Sequence, residues 1–142
     1  MADEIVLPIT WMDVLETGVP ELDAEHRALI DQCNILISLM QGSGPWARVV
    51  AAARELALSC HAHFRTEEAL LDQYDFPRLD RHKAQHRELE RRFNELVGVL
   101  SGTDGSSDEH RAAALTVRGT LIDILFRHDL DYKSHLQNAA GR

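Results

Sequence analysis

The sequence predicts an all-α fold: an up-down-up-down antiparallel four-helix bundle with an extended N-terminal arm. Three observations predict it. Apolar residues recur at helical spacing in four long stretches, short breaks rich in Gly, Pro and Ser separate them, and no run shows the sustained period-two alternation or hairpin dipeptides of paired strands. Short breaks force consecutive helices to lie antiparallel.

Residues 1–20 lack a helical period; "PITWMDVLETGVP" reads as an extended arm with Trp11 as its anchor on the bundle. The first helix runs from Glu21 to Met40, where Leu22, Leu29, Ile30, Cys33, Ile37 and Met40 make one apolar stripe, and "GSGP" ends it. Pro45 suits the first turn of the second helix. Its stripe is Val49, Ala53, Leu56, Cys60, His63, Glu67 and Leu71, stopped by "YDFP". The third helix spans about Arg78 to Leu100 and is followed by the polar break "SGTDGSSD"; the fourth runs from near Asp108 to about Asn138. Each helix would be about 30 to 45 Å long at 1.5 Å per residue. With 142 residues, 44% of them hydrophobic, the chain is expected to form one domain over 1–142, made of the arm (1–20) and the bundle (21–138).

A formal charge of −8 argues against nucleic acid or an anionic membrane as partner, because both contacts need Lys and Arg to neutralise phosphates. The N-terminal "MADEIVLPITW" carries acids where a secretory signal would be basic, and no apolar run is long enough to cross a bilayer. A soluble, cytoplasmic protein is the expectation. Cys33 and Cys60 sit inside helical patterns, so buried free thiols are expected rather than a zinc box or a disulfide framework.

Eight histidines are unusual beside two tyrosines and two tryptophans, and their positions matter more than their number. His63 and Glu67 stand four residues apart, as do His82 and His86, so each pair shares one helix face. Taken singly, such a pair is usually a solvated face. His63 and Glu67, however, fall on the stripe that carries Leu56, Cys60 and Leu71, and His26 falls on the stripe with Leu29, Ile30 and Cys33. Imidazoles and a carboxylate brought into a dry bundle lose water without gaining a partner, and a metal ion offsets that loss. Nitrogen and carboxylate donors suit iron, and equally zinc, manganese or copper. A zinc-peptidase motif is excluded because neither His63 nor His82 is followed by Glu. The Glu-x-x-His pattern of carboxylate-rich ferritin-like bundles is also missing from the helix interiors.

The residues resemble the hemerythrin family, particularly its single-domain bacterial members, over nearly the whole chain. Trp11 followed by "TGVPELDAEH" resembles the family's arm and first ligand, His26; "HFRTEEALL" resembles the segment with His63 and Glu67, and "FPRLDRHKAQH" the one with His82 and His86. The resemblance implies two non-haem iron ions, oxo- or hydroxo-bridged: His26 and His63 would hold one, His82 and His86 the other, and Glu67 would bridge them. The family completes the site from the fourth helix with a His and, five residues later, a bridging Asp.

Two registers fit the final "TLIDILFRHDLDYKSHL". Placing His128 at the family's His position puts Lys133 at the bridge, a cation aimed at two cations in a poorly screened interior. Placing Asp129 at the bridge puts Ile124 at the His position and aligns Tyr132 and the following His135–Leu136 with residues that bacterial members often carry. The second register is preferred. Ile124 cannot ligate, so the iron on His82 and His86 would have a further open position, unless His128 substitutes from one turn away. His61, His110 and His135 read as partly exposed polar residues.

The implied function is an O2 carrier, store or sensor that binds O2 as peroxide. Only Glu67 and Asp129 bring negative charge, so a ferric pair would also take small anions such as azide and peroxide, or nitric oxide. Ile30, Leu70, Leu89, Leu121 and Leu125 are expected to form a dry wall. The alternative is a di-iron oxidase or peroxidase-type enzyme, which the loss of a ligand at Ile124 favours. Binding is preferred because acids for a second oxidation shell are not evident. A monomer is expected.

Overall fold

The computed structural model describes residues 7–42, 44–102, 107–123, 132, 133, 135, 136 and 138; the side chains of 14, 107–111, 113, 114 and 121 are not described. Four helices follow one another: α1 (Pro20–Gln41), α2 (Trp46–Gln73), α3 (Leu79–Ser101) and α4 (Ser107–Ile122). No strand occurs among the described residues. Helix α1 packs on α2 and α4, and α3 packs on α2 and, less extensively, on α4, which is the square arrangement of an up-down-up-down bundle. Residues 132, 133, 135, 136 and 138 are also helical, and Tyr132 and Leu136 are fully buried.

Every member of the two stripes read from the sequence is buried, from Leu22 to Met40 in α1 and from Val49 to Leu71 in α2. Leu36 and Phe64 join them and extend the core along the bundle. At the other end Val19, Leu22, Leu71, Phe76, Tyr132 and Leu136 form a separate apolar cluster. The histidine cluster sits near the meeting of the two.

The helix ends fix the rotation of the histidine-bearing faces. Ahead of α1, Asp23 accepts hydrogen bonds from the Thr17 N–H (2.7 Å), the Thr17 hydroxyl (2.8 Å) and the Gly18 N–H (3.2 Å). Gly18 takes φ 85°, where a Cβ would be strained, and Pro20 opens the helix. This buried knot lies one turn before His26. Helix α2 ends with Asp75 at φ 56° and the Phe76 N–H donating back to the Leu71 carbonyl at 2.9 Å, the left-handed stop that Asp tolerates better than most residues. The turn drives Phe76 into the core and starts α3 three residues later. Trp46 donates to the Leu100 carbonyl at 2.8 Å, pinning the start of α2 to the end of α3.

The arm is more closely packed than expected. A single 3-10 turn (Asp13–Leu15) interrupts it, and Ile9 and Leu15 are buried while Trp11 is half-buried. The Ile9 backbone exchanges two 2.8 Å hydrogen bonds with the Asn34 amide, and the Arg27 guanidinium lies 4.2 Å over the Trp11 ring. Ile9 and Leu15 therefore anchor the arm along with Trp11. Pro45 stands just before α2 rather than in its first turn, a shift of one residue.

Candidate metal centre

Five residues singled out by spacing converge. His26 from α1, His63 and Glu67 from α2, and His82 and His86 from α3 are each no more than 2% exposed. Glu67 is the hub. Its Oε1 lies 2.5 Å from His82 Nε2 and 2.9 Å from His86 Nε2. Its Oε2 lies 3.1 Å from His63 Nε2 and 4.0 Å from His26 Nε2. One carboxylate oxygen thus faces each pair of imidazoles. The Tyr132 hydroxyl donates to Oε2 at 2.7 Å, and its ring stands edge-on to His82 with centroids 5.4 Å apart.

Further carboxylates set the direction of two rings. His63 Nδ1 lies 2.8 Å from Glu25 Oε1, and His86 Nδ1 lies 2.7 Å from Glu68 Oε2. An ionised carboxylate only accepts, so each Nδ1 carries a proton and donates it; Nε2 then faces inward, a donor to Glu67 while it carries a proton and a ligand atom once it gives that proton up. Arg65 holds Glu68 at 3.2 Å and Glu90 at 2.8 Å, and His61 Nδ1 lies 3.2 Å from Glu90. Phe64 stacks on the His86 ring, centroids 4.1 Å apart and planes within 10°.

Burial, the largest single influence on the Glu67 carboxyl, would raise its pKa. The facing imidazoles of His26, His63, His82 and His86 outweigh it and hold the group well below the usual carboxylate range. Glu67 is therefore a buried anion ringed by nitrogen donors.

The donor set fits metal ions. Two groups, His26–His63–Glu67 and Glu67–His82–His86, each present ligand atoms within 4.8 Å of one another, and they share Glu67. Metal–nitrogen bonds of about 2.1 Å place neighbouring donors roughly 3 Å apart, close to the observed spacing. Two neutral imidazoles and a shared carboxylate on each side is a borderline nitrogen-and-oxygen set that matches iron or zinc better than calcium or magnesium.

Of the remaining expectations, Ile30 and Leu89 are buried beside this region, but Leu70 is only half-buried and packs with the apolar cluster at the bundle end. His61 is exposed, and His135 donates from Nε2 to the Tyr74 carbonyl at 2.6 Å; neither joins the cluster. Lys133 lies at a surface hollow with Asp13, Glu16 and Asp23. Asp129, Ile124, His128 and Leu125 lie outside the described residues, as do the side chains of His110 and Leu121. Spacing alone missed Glu25, Glu68 and the Tyr132 hydroxyl. The available signals were an acid directly beside a cluster residue, in "EH" and "EE", and a tyrosine four residues before a buried leucine.

A helical bundle closed around imidazoles from three helices and one shared carboxylate defines a metal-binding type of protein. The family model described as the hemerythrin HHE cation binding domain matches residues 17–139. The chain belongs to the hemerythrin family. It is 29% identical over 122 residues to the bacteriohemerythrin of Pseudomonas paraeruginosa, covering 84% of this chain and 73% of that one. The bacteriohemerythrin of Stenotrophomonas maltophilia is 29% identical over 103 residues, covering 72% and 67% of the two chains. A crystal structure of a hemerythrin mutant superposes with a TM-score of 0.74 at 21% identity, covering 90% of this chain and 96% of that one, which shows the shared fold. Among the described residues no helix is long and apolar enough to cross a membrane.

Proposed function

We propose that the chain is a non-haem di-iron protein that binds O2 reversibly, as carrier, store or sensor. His26 and His63 would hold one iron, His82 and His86 the other, with Glu67 and Asp129 as bridges. The observation that carries the reading is the division of Glu67, one oxygen toward each histidine pair. The Asp129 assignment draws support from Tyr132, three residues on, which is buried with its hydroxyl on Glu67.

When bound, an iron pair supplies the electrons that O2 accepts on binding. The protein supplies the setting. Neutral imidazoles leave the pair's charge mostly uncompensated, so an anionic ligand is favoured there. Glu25 and Glu68 hold two of the rings with Nε2 inward. Ile30, Phe64 and Leu89 keep water from the site, which suppresses loss of the bound ligand by protonation. The Tyr132 hydroxyl is spent on Glu67 and fixes that carboxylate's rotation.

The test is to load the protein with ferrous iron under argon, admit air, then remove O2. Visible charge-transfer bands that appear with O2 and vanish on its removal support carriage or sensing. Bands that decay irreversibly point instead to an oxidase or peroxidase, the reading favoured by Ile124 at the family's histidine position. Cytoplasmic location and a monomeric state belong to the same proposal, and are checked by fractionation and light scattering.

A further inference from the structure

Phe64 belongs to two environments. Besides stacking on His86, it lines a cavity of about 440 Å³ between α2 and α3. Cys60, Leu89 and Phe93, all buried, complete an apolar lining, and Leu58, 71% exposed, stands at the solvent side. The volume lies within the range of roughly 300–1,000 Å³ that small-molecule sites occupy.

The charges around the cavity are unequal. Glu90 is already engaged by Arg65 and His61. Arg54, by contrast, has no carboxylate within reach among the described residues, and its polar contact is the Ser101 hydroxyl at 3.4 Å. The uncompensated charge at the cavity is therefore positive, at one edge of an apolar lining.

We infer that this cavity binds a small monocarboxylate with an apolar body, of the aryl or medium-chain alkyl class, with its carboxylate on Arg54 and its body against Phe64, Leu89 and Phe93. Two contacts carry its presence to the buried cluster. One is the Phe64–His86 stack. The other is the chain from Glu90 through Arg65 (2.8 Å) and Glu68 (3.2 Å) to His86 Nδ1 (2.7 Å). The site is distinct from the proposed oxygen-binding centre, and its occupation requires no metal.

Calorimetric titration of the metal-free protein with octanoate, 2-naphthoate, octanol and octylammonium tests the inference. A carboxylate binding once per chain, about threefold or more tighter than octanol and octylammonium, is expected, because Arg54 is exposed and solvent screens its pairing. Whichever carboxylate binds tighter assigns the alkyl or the aryl class. Arg54→Gln should remove that advantage while leaving octanol unchanged, and Ala57→Phe, which fills the cavity, should abolish binding of both. The ring resonances of His86 should shift with carboxylate in the parent and not in Ala57→Phe. Equal affinity for all four probes overturns the inference, as does full carboxylate affinity in Arg54→Gln. The Arg54 variant decides the matter if Ala57→Phe fails to fold, and a failure here leaves the metal reading intact.

Discussion

Replacing Glu67 by glutamine keeps the side chain's shape and removes its charge, at a residue with no exposed surface. In the parent, the two oxygens face His82, His86 and His63 at 2.5, 2.9 and 3.1 Å, and Oε2 accepts from Tyr132 at 2.7 Å. An amide presents an acceptor to only one side. If its oxygen faces α3, its NH2 meets the Tyr132 hydroxyl, which must turn to accept; if reversed, the His82 and His86 contacts lose their acceptor. Charge-assisted bonds are worth about 1.5–3 kcal/mol and neutral ones about 0.5–1.5, so weakening two or three of them costs about 2–4 kcal/mol. For a chain of this size that lowers Tm by roughly 10 °C. The assay is urea unfolding of the metal-free protein at pH 7, followed by circular dichroism. A change below about 0.5 kcal/mol, the size of an ordinary surface substitution, would refute the hub role of Glu67. Acid provides a second arm. The folded pKa lies below the unfolded value of about 4.3, so this group's stabilisation is complete above the unfolded value and is lost as pH falls through the folded one. Below about pH 4.3 the parent should therefore lose stability more steeply than Glu67→Gln.

Glu68→Gln should weaken metal binding about 10- to 100-fold with the helical content unchanged, because Glu68 orients His86 from outside. Competition against a chelator measures this, and equal affinity would remove Glu68 from the site. Burial first, then the neighbouring Cys60 thiol, push Cys33 up to about 12, with Arg118 pulling the other way. Cys33 should be inert to a chromogenic disulfide reagent at pH 8 until urea is added. Since unfolded thiols ionise near about 8.5, its contribution to stability is whole below that pH and falls as pH rises above it. Ile124→His, at the position that resembles a family ligand, should lengthen the lifetime of the oxygen adduct measured by stopped flow. An unchanged lifetime counts against an open position there.

Helical period alone located both apolar stripes and the inward faces of His26, His63 and Glu67, because a three-to-four-residue repeat fixes which side chains share a face; for His82 and His86 it gave only a common face, and the family resemblance supplied the rest. It could not reveal the partners one residue away. Glu25 and Glu68 point about 100° around the helix from His26 and Glu67, and only the packing of neighbouring helices turns them onto His63 and His86. The knot of Thr17, Gly18 and Asp23 was likewise hidden, since it depends on one glycine at positive φ and on a side chain reaching back across six residues. Leu70 shows the converse limit: proximity in sequence to Glu67 suggested a wall residue, but its direction carries it to the bundle end. The register question at Ile124, His128 and Asp129 is a matter of one helical step, and the inward Tyr132 and outward Lys133 are the neighbours that bear on it.

The most direct measurement is diffraction from crystals grown with ferrous iron, with anomalous data at the iron edge and elemental analysis of the same sample. Two anomalous peaks per chain are expected, one between His26 and His63 and one between His82 and His86, with Glu67 reaching both. A single peak, or imidazoles turned away from Glu67 in the loaded protein, would contradict the shared-carboxylate centre.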